Sequence, residues 1–131
     1  MSKIFIFLKL IFYISIAFLV IVSVFPGSLL GLLFYGDSNL QPQLVKNPFG
    51  STINHFIYYL YVSLLGLLLY QKSNFFKKLV FTLFFLSIFL EAIQVILPIR
   101  AFQIGDLIGN ILGVLVAYFL VKIYLRLVNH E

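Results

Sequence analysis

Four apolar runs decide what this chain can become. They cover residues 4–25, 53–70, 79–97 and 106–125 of a 131-residue sequence. At about 1.5 Å of rise per residue, runs of this length reach roughly 27–33 Å as helices, the thickness of a bilayer's hydrocarbon core. Backbone at that depth must satisfy its own hydrogen bonds, which leaves helices or a closed barrel, and unbroken runs of this kind favour helices. Composition agrees. Hydrophobic residues make up 63% of the chain and charged ones 10%, against about 25% charged in a soluble domain. The expected architecture is an all-α membrane protein, a four-transmembrane-helix bundle formed by residues 1–131 as a single domain.

The connections differ in kind. The first run ends at Pro26-Gly27, a breaker pair. Lys3 and Lys9 resemble the basic region of a signal peptide, but the apolar stretch is long for one, and Ser23-Val24-Phe25 lacks a small-x-small cleavage pattern, so an uncleaved helix is expected. Residues 27–51 form the longest connection. Within it Ser28 to Tyr35 is apolar and too short to span, so it reads as a half-inserted or interfacial segment. Asp37, Asn39 and the Gln41-Pro42-Gln43 stretch carry turn chemistry, and Asn47-Pro48 leads to Ser51 or Thr52 as helix cap. Spans two and three are joined by a short basic turn around Lys72, Lys77 and Lys78. Spans three and four are joined by the loop after Pro98.

Charge orients the bundle. Four spans put both termini on one side. Lys3, Lys9, Lys72, Lys77, Lys78, Lys122 and Arg126 fall there, with His130 at the same end. Lys46 and Arg100 fall on the other side. The positive-inside rule then predicts cytoplasmic termini, N-in and C-in, with the 27–52 and 98–105 loops outside. The net charge of +5 is explained by these topology signals and their contact with anionic lipid. No nucleic-acid partner is called for. The chain has no cysteine, hence no disulfide or thiolate chemistry. Two histidines are too few for an independent zinc site. No metal or cofactor is expected.

Against this apolar background, polar residues gather at one level. Glu91 lies near the end of span three with Gln94 at i+3, Arg100 follows in the loop, and Asp106 opens span four with Asn110 at i+4. His55 sits near the start of span two, so the topology brings all six to the outer end. Ionisable groups at membrane depth are costly and mark function by default. Each also has a plain structural role. Glu91 or Asp106 paired with Arg100 would clasp the last hairpin. Asp106 would cap span four. Gln94 and Asn110 would join helices by hydrogen bonds worth roughly 0.6 kcal/mol each. His55 would be an interface residue, and Tyr58, Tyr59 and Tyr61 an aromatic belt. The small residues Gly66, Gly109, Gly113 and Ala117 permit close helix packing without saying whether within or between chains. Taken together the six favour a functional pocket.

At these residues the chain resembles the VanZ-like family of small bacterial membrane proteins. The match rests on Glu91-x-x-Gln94-x-x-x-Pro98-x-Arg100, then Asp106-x-x-x-Asn110-x-x-Gly113, with His55 followed by an aromatic at Tyr59. It covers about Pro26 to Leu120. Family members often carry Asp-Lys shortly before the histidine, where this chain has Ser51-Thr52. The family is named for a protein associated with resistance to the glycopeptide teicoplanin, so the resemblance implies an envelope role and does not supply a reaction.

Two classes of function fit. In the first, the pocket binds an envelope lipid headgroup, a cell-wall precursor or an antibiotic, with Arg100 on an anionic group and Gln94 and Asn110 orienting the ligand. In the second, the protein is a membrane-embedded enzyme on a lipid-linked substrate. Glu91 would be its acid or base, His55 or Asp106 the counterpart, and Arg100 the stabiliser of negative charge. No nucleophile motif, phosphate-binding glycine loop or metal-ligand set supports catalysis, so binding is the leading expectation. An ion- or proton-coupled carrier fits less well, because the polar residues occupy one side only.

Overall fold

The computed structural model describes residues 3–43, 46 and 48–128. Asn47 and His130 lie outside them. The described residues form five α-helices and no strand: α1 (Lys3–Val24), α2 (Leu29–Tyr35), α3 (Thr52–Leu69), α4 (Phe76–Ala92) and α5 (Ile104–Val128). A 3-10 turn, Ile93–Ile96, continues α4. Helices α1, α3 and α5, and α4 with its 3-10 turn, are long and apolar enough to cross a membrane. The chain is thus a multi-pass helical bundle. The observed spans start and stop within about three residues of the apolar runs. The fourth begins two residues before Asp106 and extends three past Leu125. Their outward faces carry large apolar side chains such as Phe81, Phe85 and Ile123, as lipid-facing surfaces do.

Helices α3 and α5 form the tightest pair. Gly105, Gly109 and Gly113 recur every fourth residue of α5 and lie against α3. A Cβ on Gly109 would stand 2.6 Å from the Thr52 carbonyl oxygen, and one on Gly113 would stand 2.7 Å from that of Phe56. The two backbones therefore touch, which only glycine allows at these points. Val114, Ala117 and Val121 continue the seam and are fully buried, opposite Val62 and Leu67 of the core. The small residues Gly109, Gly113 and Ala117 thus pack within the chain.

Helix α1 is held differently, through side chains. Its Phe12 ring fills the notch left by Gly66. Tyr58 Oη donates to the Ser15 carbonyl at 3.0 Å, Ser15 Oγ and Tyr61 Oη meet at 3.2 Å, and the hydroxyls of Tyr13 and Tyr70 meet at 2.6 Å. Tyr59 is buried and donates to the Leu86 carbonyl at 3.3 Å, tying α3 to α4. The aromatic-belt reading of Tyr58 and Tyr59 is therefore corrected. A phenol turned into a bundle needs a partner for its hydroxyl, and backbone carbonyls supply it.

The run from Ser28 to Tyr35 becomes helix α2. Ser28 caps it, its hydroxyl accepting from the Gly31 amide at 2.9 Å, and Gly36 closes it in the left-handed conformation. The Ser28 amide donates to the Ser38 carbonyl at 2.7 Å, folding the following turn back over the helix.

Candidate functional site

The ends of α1 and α4 and the starts of α3 and α5 meet at one end of the bundle, and the polar residues meet there with them. Asp106 is 3% exposed. It lies inside the first turn of α5, two residues past the helix start, and is not its cap. Ser51 Oγ donates to Oδ2 at 2.8 Å and to Oδ1 at 3.0 Å, and Thr52 Oγ1 donates to Oδ1 at 3.1 Å. Ser51 makes no side-chain cap to α3. The expected capping by Ser51 or Thr52 is thus replaced by donation across the α3–α5 seam. The reason is proximity: the glycines bring the start of α3 within hydroxyl reach of a buried carboxylate that needs donors. These hydroxyls stand where the resemblance led one to expect Asp-Lys.

His55 bridges both carboxylates. Its Nε2 lies 3.4 Å from Asp106 Oδ2, an ion-pair distance when the ring is protonated, and its Nδ1 lies 4.0 Å from Glu91 Oε2. Nδ1 also meets Asn110 Oδ1 at 2.9 Å. Asn110 Nδ2 donates to the Ser87 carbonyl at 3.2 Å and to Glu91 Oε2 at 3.5 Å. That fixes the amide so that its oxygen faces His55, and Nδ1 carries a proton. Both ring nitrogens are therefore directed into the protein.

Glu91 is 1% exposed. Its Oε1 accepts the Gln103 amide at 3.2 Å, which pins the α4–α5 loop to the end of α4. Glu91, Asp106 and Asn110 so form a closed polar layer with His55 at its edge. Among the described residues no group of three His, Asp or Glu side chains is arranged to hold a metal ion.

Arg100 does not clasp the last hairpin. Among the described residues the only ion-pair distances are those of His55. The guanidinium crosses to α1 instead, where Nη2 donates to the Val22 carbonyl and Nε donates to that of Phe25 at 3.4 Å. Pro26 explains the first bond. Val22's carbonyl would normally accept the amide four residues on, and proline has none. A helix C-terminus also favours a cation. Ile99 turns the chain to deliver it, with φ at +61°, a conformation a β-branched residue rarely takes. Burial pulls the guanidinium below its ordinary pKa, while the charges of Glu91 and Asp106 oppose that shift. Arginine stays protonated under such opposing effects.

Beside this layer lies a cavity of about 370 Å³. His55, Gln94 and Arg100 line it, with Phe18 and Val22 of α1, Leu30 and Phe34 of α2, and Tyr58 of α3. Gln41, Gln43 and Asn54 complete its polar wall. The six expected residues thus divide: His55, Gln94 and Arg100 face the cavity, while Glu91, Asp106 and Asn110 stand behind. The long connection between the first two spans supplies part of the wall. Gln41 and Gln43 read in the sequence as turn residues only, and Asn54, one residue before His55, is not singled out there.

The sequence profile of the VanZ/LLP1 family matches residues 11–125. No curated protein and no solved structure matches the chain.

Proposed function

The chain belongs to the VanZ/LLP1 family, and from that premise we propose that it is a bacterial cell-envelope protein whose cavity binds an envelope lipid, a cell-wall precursor or an antibiotic at the outer face of the plasma membrane. The termini lie in the cytoplasm in this reading, and the cavity opens outward, by the distribution of lysines along the sequence. The observation that carries binding over catalysis is the division of the polar residues. The cavity receives Arg100 and Gln94, which recognise and orient. Glu91 and Asp106, the acid–base candidates, are spent on Gln103, Asn110, Ser51 and Thr52 behind it. His55 likewise has Nδ1 against Asn110 Oδ1 and Nε2 turned toward Asp106, whereas a general base must point a nitrogen at its substrate.

A role in glycopeptide resistance is the finer part of the proposal. Its test is susceptibility to teicoplanin and vancomycin in a Gram-positive host carrying the wild type or Arg100→Ala, Gln94→Ala, His55→Ala and Asp106→Ala at equal membrane levels. Protection by the wild type that Arg100→Ala and Gln94→Ala lose is the expected result. Absence of protection by the wild type refutes the resistance role. Glu91→Gln separates the classes: graded weakening is expected of a binding protein, and abolished turnover with binding retained would mean an enzyme.

A further inference from the structure

The cavity's chemistry narrows its occupant. We infer that it takes the headgroup of a membrane amphiphile, one that is rich in hydroxyls and carries a single anionic group. The inference rests on the binding reading above and goes beyond it in naming the class.

Size comes first. At about 370 Å³ the space is at the low end of the roughly 300–1,000 Å³ of small-molecule sites. It holds a headgroup and not a whole lipid. The chains must then lie outside, along the apolar surface that Phe18 and Val22 of α1 and Phe34 of α2 continue toward the bilayer.

Charge comes second. Among the described residues no acidic side chain lines the cavity, and Arg100 is its cation. Two of the five guanidinium donors are spent on Val22 and Phe25, and Nη1 has no hydrogen bond among the described residues. A free terminal N–H group of this kind suits a phosphate or carboxylate oxygen. The carboxylates that would repel an anion stand behind the cavity wall and are held by hydroxyl and amide donors of their own.

Neutral polarity comes third. Gln41, Gln43 and Gln94 bring primary amides to the same space, and Tyr58 brings an aromatic face. Amides pair with hydroxyls as both donor and acceptor, and carry no charge to prefer an amine. A choline or ethanolamine headgroup finds no carboxylate here, while a glycerol or sugar finds several partners. Phosphoglycerol lipids and phosphate-linked sugar lipids share this chemistry, and the test must tell them apart.

The protein is purified in neutral detergent, and binding is read by retention on phosphatidylcholine vesicles doped with one probe lipid each. The probes are phosphatidylglycerol, phosphatidic acid, a diacyl glucosyl lipid without charge, and a polyprenyl phosphoglucose. The expected order places phosphatidylglycerol or the phosphoglucose about tenfold above phosphatidic acid and the neutral glucolipid, a difference of one or two directed hydrogen bonds. The lipid that leads identifies the source. Gln43→Leu with Gln94→Leu is expected to erase the advantage over phosphatidic acid. Arg100→Gln is expected to erase the advantage over the neutral glucolipid. Since Arg100→Gln also frees the end of α1, Leu30→Trp, which fills the cavity from α2, is the control for folding: it must abolish selective retention while unfolding at the wild-type temperature.

Equal retention of all four probes overturns the headgroup assignment. If a soluble cell-wall precursor is nevertheless bound and displaced by Leu30→Trp, the binding function survives without it. If no ligand binding responds to Leu30→Trp or Arg100→Gln, both fall.

Discussion

The two sides of α3 are built on opposite principles. Toward α5 it meets a row of glycines, and the helix backbones touch through Gly109 and Gly113. The buried Asp106 and Asn110 are wired across that side to Ser51, Thr52 and His55, and Asn110 goes on to Glu91 of α4. Toward α1 the spacing is kept by side chains: Phe12, Ser15 and the tyrosines at one end, and an Arg100 bond to α1 at the other. The gap between is the cavity. Close-packed polar wiring on one side and a gap spaced by side chains on the other is how a membrane protein holds a site still while leaving room for a ligand. The charged residues serve mostly the first task, and the second is left to Arg100, Gln94 and neutral amides.

The contrast breaks most completely at the glycine seam. Gly113→Leu drives a side chain into the Phe56 and Leu60 backbone, and the expected result is loss of monodisperse protein on size-exclusion chromatography in detergent. Next is Asp106→Ala, which strands the hydroxyls of Ser51 and Thr52 and the His55 ring. A cost of about 3–5 kcal/mol is expected, as for a broken buried charge network, seen as a large drop in thermal unfolding temperature. On the looser side, Gly66→Ala presses a methyl on the Phe12 ring. A ring on a flexible side chain can yield, so about 1–3 kcal/mol is expected, with α1 displaced and α3–α5 intact by cysteine crosslinking. A cost equal to that of Gly113→Leu would erase the distinction. Smallest is Ile99→Gly, which relieves the positive φ at an exposed position. Stability is expected to hold or rise by up to about 1 kcal/mol, and a marked loss would mean that the isoleucine side chain itself anchors the loop.

Much of this was legible in the sequence because hydrocarbon is a strict solvent. Apolar length alone placed four helices, and the cost of burying Glu91, Gln94, Asp106 and Asn110 drew attention to one end. What the sequence left open was direction. It placed Arg100 near two carboxylates, and opposite charges suggest pairing. The competing acceptor, a Val22 carbonyl left bare by Pro26, lies far away in the chain and shows only once α1 is docked. Ser51 and Thr52 precede a helix and so read as caps, since nothing local announces a carboxylate across the seam. The tyrosines recur as a belt would, and only packing shows Tyr59 buried. The cavity's glutamines lie in a stretch whose local code is that of a turn.

The bond between Arg100 and Val22 spans 78 residues, and this gives the protein a timetable. At about 5–20 residues per second of synthesis, the end of the first helix is made roughly 4–16 s before the arginine that completes it. During that interval the bare carbonyl must be met by water or by lipid headgroups, which keeps that end of the newborn helix near the membrane surface. The nascent chain so carries an unfinished edge that its own later portion closes, and closure of that edge reports that the turn after α4 has arrived.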